Sequence, residues 1–169
     1  MAHSTNWQEQ LATDQLWMNQ AIDLAIAAGQ KGEVPIGALI VDESGQCIAA
    51  SGNTKEQTQD PTAHAEIIVL RRASQILGNW YLARCTLYVT LEPCPMCAGA
   101  ILQARIARLV YGAADPKAGA IHTVLNLPAS AAAFHPLTVT AGIREMACRQ
   151  LLQEWFAKLR QSSSSSAST

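Results

Sequence analysis

The stretch from Thr86 to Tyr111 constrains the fold more than any other part of this chain. It opens with Thr-Leu-Tyr-Val-Thr-Leu, a run of β-branched, aromatic and aliphatic residues that reads as a buried strand. Pro93-Cys94-Pro95 then starts a helix, predicted over 93–105, and Arg108 to Tyr111 reads as a second short strand. A strand, a helix and a strand in one sheet favour a right-handed crossover, which sets the two strands parallel.

The flanking segments extend this frame. A helix is predicted from Thr13 to Gly29, where Trp17, Ala21, Leu24, Ala25 and Ala28 recur at helical spacing. Val34–Val41 and Cys47–Ala50, joined through Asp42-Glu43-Ser44-Gly45, read as a hairpin. A polar loop follows over 53–60. Pro61 to Leu77 reads as a second helix, with Thr62 as its N-cap and Gly78 as its stop. Beyond a loop rich in Gly, Ala and Pro over 112–128, Leu137–Thr140 forms a last strand and Ile143–Leu159 a closing helix. Five strands interleaved with helices predict an α/β layered domain with a mixed sheet.

The 169 residues suffice for one domain with its own core, placed over 7–160. Gln161–Thr169 is nearly all Ser, Ala and Thr and is expected to be disordered; residues 1–6 are expected to be loose. No apolar run approaches the roughly 18 residues of a membrane span, and no basic region leads into an apolar one at the N-terminus. The cytoplasm is the expected location, with no membrane partner.

The five cysteines, Cys47, Cys85, Cys94, Cys97 and Cys148, are an odd number, and only one close pair exists among them. That pattern favours metal or redox chemistry over a disulfide framework. Cys94-Pro95-Met96-Cys97 lies where a strand hands over to a helix. Thiolates bind metals, and the positive end of a helix stabilises them. Structural zinc usually takes four protein ligands, whereas this pair supplies two. Cys47, Cys85 and Cys148 read as ordinary buried or half-buried thiols. His64, at the start of the preceding helix, is the best third ligand. Three ligands leave one position open for water, the arrangement of a catalytic zinc. Glu66 follows His64 by two residues. In mid-helix such positions point about 200° apart, so both serve one site only where the helix end faces it. Glu66 then suits proton transfer rather than ligation. A lone C-x-x-C also suits a dithiol redox pair, and a lone His-Ala-Glu arises by chance on surface helices. Their combination is far more specific.

The combination resembles the zinc deaminase signature. The match extends to Glu33-Val34-Pro35-Ile36-Gly37-Ala38, to Asp60-Pro61-Thr62-Ala63-His64-Ala65-Glu66-Ile67 and to Leu87-Tyr88-Val89-Thr90-Leu91-Glu92-Pro93-Cys94-Pro95-Met96-Cys97-Ala98-Gly99-Ala100. It resumes at Tyr111-Gly112-Ala113 and Asp115-Pro116-Lys117-Ala118-Gly119-Ala120. Over about residues 13–160 the chain resembles the bacterial tRNA-specific adenosine deaminases. That resemblance implies a cytidine-deaminase-like three-layer α/β/α sandwich with a mixed five-stranded sheet, in a homodimer. It implies one zinc ion per subunit on His64, Cys94 and Cys97, with Glu66 as proton shuttle. The reaction implied is hydrolytic conversion of adenosine to inosine at the wobble position of a tRNA anticodon stem-loop. Asn53 falls on a contact to the target nucleoside. Val34 and Pro35, after Glu33, fall on the wall of the base pocket, and Asp115 and Lys117 on a loop touching neighbouring nucleotides. Ala114 and Trp155-Phe156 depart from the residues common in that family.

The net charge is −1 and the pI about 6.4, so any RNA contact must be local. Arg71, Arg72, Arg105, Arg108, Lys117, Lys158 and Arg160 are available for it. Two other functions use the same motifs: deamination of a free nucleobase such as guanine or cytosine, and a non-catalytic, zinc-stabilised RNA-binding subunit.

Overall fold

In the computed structural model the backbone is described for residues 2–166 and side chains for residues 7–162. The elements are α1 (Ala2–Gln30), β1 (Gly37–Val41), β2 (Cys47–Gly52), α2 (Lys55–Thr58), α3 (Ala65–Leu77), β3 (Thr86–Leu91), α4 (Pro95–Gln103), β4 (Arg108–Ala113), β5 (Thr138–Thr140) and α5 (Glu145–Ser166). The strands form one five-stranded sheet in the order β2-β1-β3-β4-β5. β1 runs antiparallel to both β2 and β3, whereas β3, β4 and β5 run parallel. The strand-helix-strand reading of Thr86–Tyr111 is thus met, and the sheet is mixed as expected.

Strand periodicity distributes the core. Ala38, Ile40, Leu87, Val89, Leu109 and Tyr111 face one side, packed with Val69, Ala73, Ala98 and Ile101 of α3 and α4. Their neighbours Leu39, Val41, Tyr88 and Val110 face the other, packed with Met18 and Ala21 of α1 and Cys148 of α5. The three central strands β1, β3 and β4 therefore bury both faces, and helices cover the sheet on both sides in three layers. Two glycines let α1 settle onto the hairpin. A Cβ at Gly37 would come within 2.7 Å of the Ala25 nitrogen, and one at Gly52 within 2.8 Å of the Leu24 carbonyl oxygen.

The elements depart from expectation mostly at their ends. α1 begins at Ala2 rather than Thr13; side chains of 2–6 fall outside those described, as does Met1. Four residues of the predicted polar loop form the short helix α2. Glu33 starts it from a distance: its Oε2 accepts from the Glu56 nitrogen at 3.1 Å and its Oε1 from the Gln57 nitrogen at 2.8 Å. α5 continues past Leu159 to Ser166, six residues into the segment expected to be disordered. Ala157 to Gln161 are good helix formers, and an established helix gains one bond per added residue. Residues 167–169 lie outside those described. Among the described residues no helix is long and apolar enough to cross a membrane.

Candidate metal centre

The N-cap of helix α3 falls at His64, two residues later than the Thr62 the sequence suggests, and the shift matters. The Asp60 carboxylate takes the Thr62 nitrogen at 2.8 Å and the Thr62 hydroxyl at 2.7 Å. Thr62 is thereby held in a turn and cannot cap the helix. The N-cap residue is His64, in extended conformation, so Glu66 is the second residue of the helix. His64 makes no side-chain cap bond, which leaves its ring free to turn elsewhere. The capping acceptor comes from the loop after β2: Asn53 Oδ1 accepts from the Ala65 nitrogen at 2.8 Å.

α4 begins in the same way. Cys94 is its N-cap, also extended, and Pro95 occupies the first turn, where its missing N–H costs nothing. Cys97 sits in that turn, fully buried. The two helix starts converge. His64 Nδ1 lies 3.7 Å from Cys94 Sγ and 3.6 Å from Cys97 Sγ. Among the described residues, His64, Cys94 and Cys97 form the group able to hold a metal ion. The spacing fits zinc: bonds of about 2.05 Å to nitrogen and 2.3 Å to sulfur give a tetrahedral N···S edge of about 3.6 Å.

The thiols are polarised for ligation. The Cys97 thiol, against the opposing effect of burial and with help from His64, holds the Cys94 thiol down to about 4. The same Cys94–Cys97 bond, together with burial, pushes Cys97 up. One thiolate and one thiol is therefore the metal-free preference, and a cation favours ionising both.

Glu66 is 4% exposed, and its Oε2 is a buried oxygen with no hydrogen-bond partner. Burial raises its carboxyl above the ordinary value, opposed by a backbone N–H and by His64. An acceptor left unpaired in this way costs about 1–3 kcal/mol, so it asks for a partner that the protein itself does not provide.

Of the other residues named from the sequence, Asn53 stands against the start of α3 and is buried. Val34, Asp115 and Lys117 line a groove of about 910 Å³ between the loop after β4 and helix α5. Pro35 is buried against Gly29 at the end of α1. Of the cations named for RNA contact, Arg108 is consumed internally. Its guanidinium reaches Asp14 Oδ1 at 2.7 Å and Oδ2 at 2.6 Å. Arg72 reaches the Ala50 carbonyl at 2.9 Å, and Arg105 the Phe134 carbonyl at 2.8 Å. Lys117 and Arg160 do line the groove. Sequence reasoning missed Arg149 and Gln153, which line it too, because the face a long helix presents cannot be told without its packing partner. It expected Cys47, Cys85 and Cys148 to be buried or half-buried thiols; Cys85 and Cys148 are buried, but Cys47, at the start of β2, is exposed.

It also missed Glu92, which is 2% exposed. Its carboxylate takes the backbone nitrogens of Asp115 (3.1 Å), Ile121 (3.1 Å), His122 (2.8 Å) and Thr123 (3.0 Å), and the Thr123 hydroxyl. Burial opposes ionisation there, but these donors outweigh it and keep the carboxyl below its ordinary value. An acidic residue at the end of a buried strand was the available signal.

Two helix N-termini meeting over the ends of parallel strands, with an unpaired carboxylate between them, define a hydrolytic deaminase class of site. Residues 12–160 match the MafB19-like deaminase family, and the chain belongs to that family. It is 45% identical over 150 residues to the tRNA-specific adenosine deaminase of Bacillus subtilis (strain 168), covering 89% of this chain and 92% of that one. Within the deaminases it belongs with these tRNA-specific adenosine deaminases. A solved tRNA:A34 deaminase, studied for A-to-I editing at the wobble position, superposes with a TM-score of 0.78 at 46% identity, covering 80% of this chain and 98% of that one. The guanine deaminase of Nitrosomonas europaea superposes at 0.72 with 28% identity, covering 85% and 84%.

Proposed function

We propose that this chain deaminates adenosine to inosine at the wobble position of a tRNA anticodon stem-loop, with one zinc ion per subunit. The observation that carries the reading is the unpaired, buried Glu66 Oε2 at the His64–Cys94–Cys97 cluster. A metal held only for stability gives that oxygen no use. A zinc ion on these ligands supplies Lewis acidity and makes a water molecule acidic near neutral pH. Glu66 Oε2 takes a proton from the attacking water and delivers it to N1 of adenine as the water oxygen bonds to C6. Glu66 then carries the hydroxyl proton to N6. The C6–N6 bond breaks, and ammonia and inosine result. Asn53 fixes the nucleoside through the amide nitrogen that its cap bond leaves over. Val34 and Pro35 wall the base.

The groove between the loop after β4 and α5 supports RNA over a free base. It carries Lys117, Arg149 and Arg160 against Asp115, with Arg149 also paired to Glu145, and on a chain of net charge −1 the excess of cations there is the local positive surface that phosphates require. Cytoplasmic location and a homodimer complete the reading. Met96, Val124 and Leu125 remain exposed on α4 and the loop packed beside it, apolar surface suited to a second subunit.

The test is an anticodon stem-loop with a wobble adenosine, incubated with zinc-loaded protein and with Glu66→Ala. Wild type is expected to produce inosine. The variant is expected to lose at least about 10³-fold in rate at unchanged zinc content. Conversion of guanine but not of the stem-loop would instead select the free-base reading. Full activity in Glu66→Ala would remove the catalytic one.

A further inference from the structure

The geometry points to Glu92 as a positioning residue that fixes the substrate-facing loop 115–123 to the strand end bearing the metal ligands. The inference rests on the function proposed above and assigns a part of it to a residue outside the reacting groups. Glu92 stands between the last residue of β3 and Cys94, so its backbone belongs to the metal side of the site. Its side chain belongs to the other side. Four backbone N–H groups and one hydroxyl of residues 115–123 end on its two oxygens.

The loop bends around this carboxylate. Asp115 folds the first part, its Oδ1 accepting from the Lys117 nitrogen at 2.9 Å and the Ala118 nitrogen at 3.2 Å. The Gly119 nitrogen donates to the Asp115 carbonyl at 3.0 Å, and the Ala120 nitrogen to the Pro93 carbonyl at 2.9 Å. Gly119 is required by space rather than by backbone angle: a Cβ there would overlap the Glu92 carboxylate and stand 2.7 Å from the Asp115 carbonyl oxygen. The peptide N–H groups of five residues are thus drawn inward by one charge or by the carbonyl of the Pro93 that follows it. Charge-assisted bonds of this kind are the stronger class, and several on one anion act together. The consequence is that Asp115 and Lys117 hold a fixed position relative to Cys94 and Cys97. Only Pro93 separates Glu92 from Cys94, so the loop is anchored directly beside that thiol.

Glu92→Gln separates this role from general stability. The amide keeps the shape but turns an NH₂ toward N–H groups that need an acceptor. Holoenzyme is compared with the variant for zinc content, amide hydrogen exchange, stem-loop affinity, KM and kcat. In Glu92→Gln, exchange at residues 115–123 is expected to rise at least about tenfold, with exchange in α3 and β1 and zinc content unchanged. KM and Kd for the stem-loop are expected to rise at least about tenfold, and kcat to change less than about threefold. Glu92→Asp keeps the anion and is expected to fall between wild type and Glu92→Gln. Gly119→Ala, with Glu92 intact, is expected to raise KM in the same way. Zinc loss with a fall in kcat at constant KM would overturn the inference, placing Glu92 in the service of the metal ligands. So would unchanged exchange over 115–123. If wild type converts no adenosine, the proposed function fails; exchange and Kd, which need no turnover, still decide the role of Glu92.

Discussion

Asn53 caps α3, and the proposed function gives it a second task at the nucleoside. Its position after a strand gives no sign that its oxygen caps a helix twelve residues on, at Ala65. The sequence offers Thr62 as the cap instead, and the expectation fails because Asp60 captures Thr62 first. Competition between two side chains for one backbone nitrogen is settled by local geometry that the sequence does not display. The ligands themselves were legible, since Cys and His in this pattern have few other uses. Asn53→Ala removes the acceptor and leaves the Ala65 N–H buried and unpaired. Urea unfolding is expected to show a loss of about 1–2 kcal/mol. Deaminase activity under native conditions is expected to fall at least about tenfold, well beyond the change in folded fraction. An equal stability with intact activity would dismiss both roles.

Helix α1 is bound to the sheet by a polar cluster as well as by apolar contact. Asp14, 2% exposed, accepts the Tyr88 hydroxyl of β3 at 2.9 Å and a two-pronged contact from Arg108 of β4. Arg108 also reaches the Thr140 hydroxyl of β5 at 2.9 Å. The carboxylate thus ties the helix to β3 and β4, and Arg108 extends the link to β5. Burial opposes its ionisation, yet the Arg108 guanidinium and the Tyr88 hydroxyl outweigh that and hold the carboxyl below its ordinary 3.8. A depressed folded-state pKa contributes stability that is present above the unfolded value and lost as pH falls through the folded one. Wild type is therefore expected to unfold with more difficulty than Asp14→Asn at about pH 6, the gap narrowing progressively below pH 3.8. Urea titrations at several pH values check this; a gap independent of pH would show that the carboxylate charge is not the source. At this scale the sequence conveyed the strands, because period-two burial is written in residue order. The pairing of Asp14 with Arg108 was not conveyed, since 94 residues separate them.

The whole molecule shows why a net charge of −1 is compatible with an RNA substrate. Cations spread along the chain are sorted by folding into internal partners, such as Arg108, and groove residues, such as Lys117, Arg149 and Arg160. Apolar residues are sorted likewise, and Met96, Val124 and Leu125 are left outside. Sedimentation of the zinc-loaded protein at micromolar concentration is expected to give about twice the 18.1 kDa of one chain. A monomer under those conditions would remove the homodimer from the proposal.

By itself the sequence determined the order of elements, the parallel crossover and the chemistry available to the site. These depend on neighbours in the chain: alternation of apolar residues, prolines that open a helix, and thiols placed where a helix begins. Only the tertiary structure decided which partners each polar group found. It placed His64 at the cap and Glu66 in the first turn, turned Glu92 toward the loop after β4, and brought α5 to the groove beside that loop. The physical reason is that a buried hydrogen bond is a contest among all donors and acceptors within about 3 Å, and which groups come within that distance is fixed only when the helices settle onto the sheet.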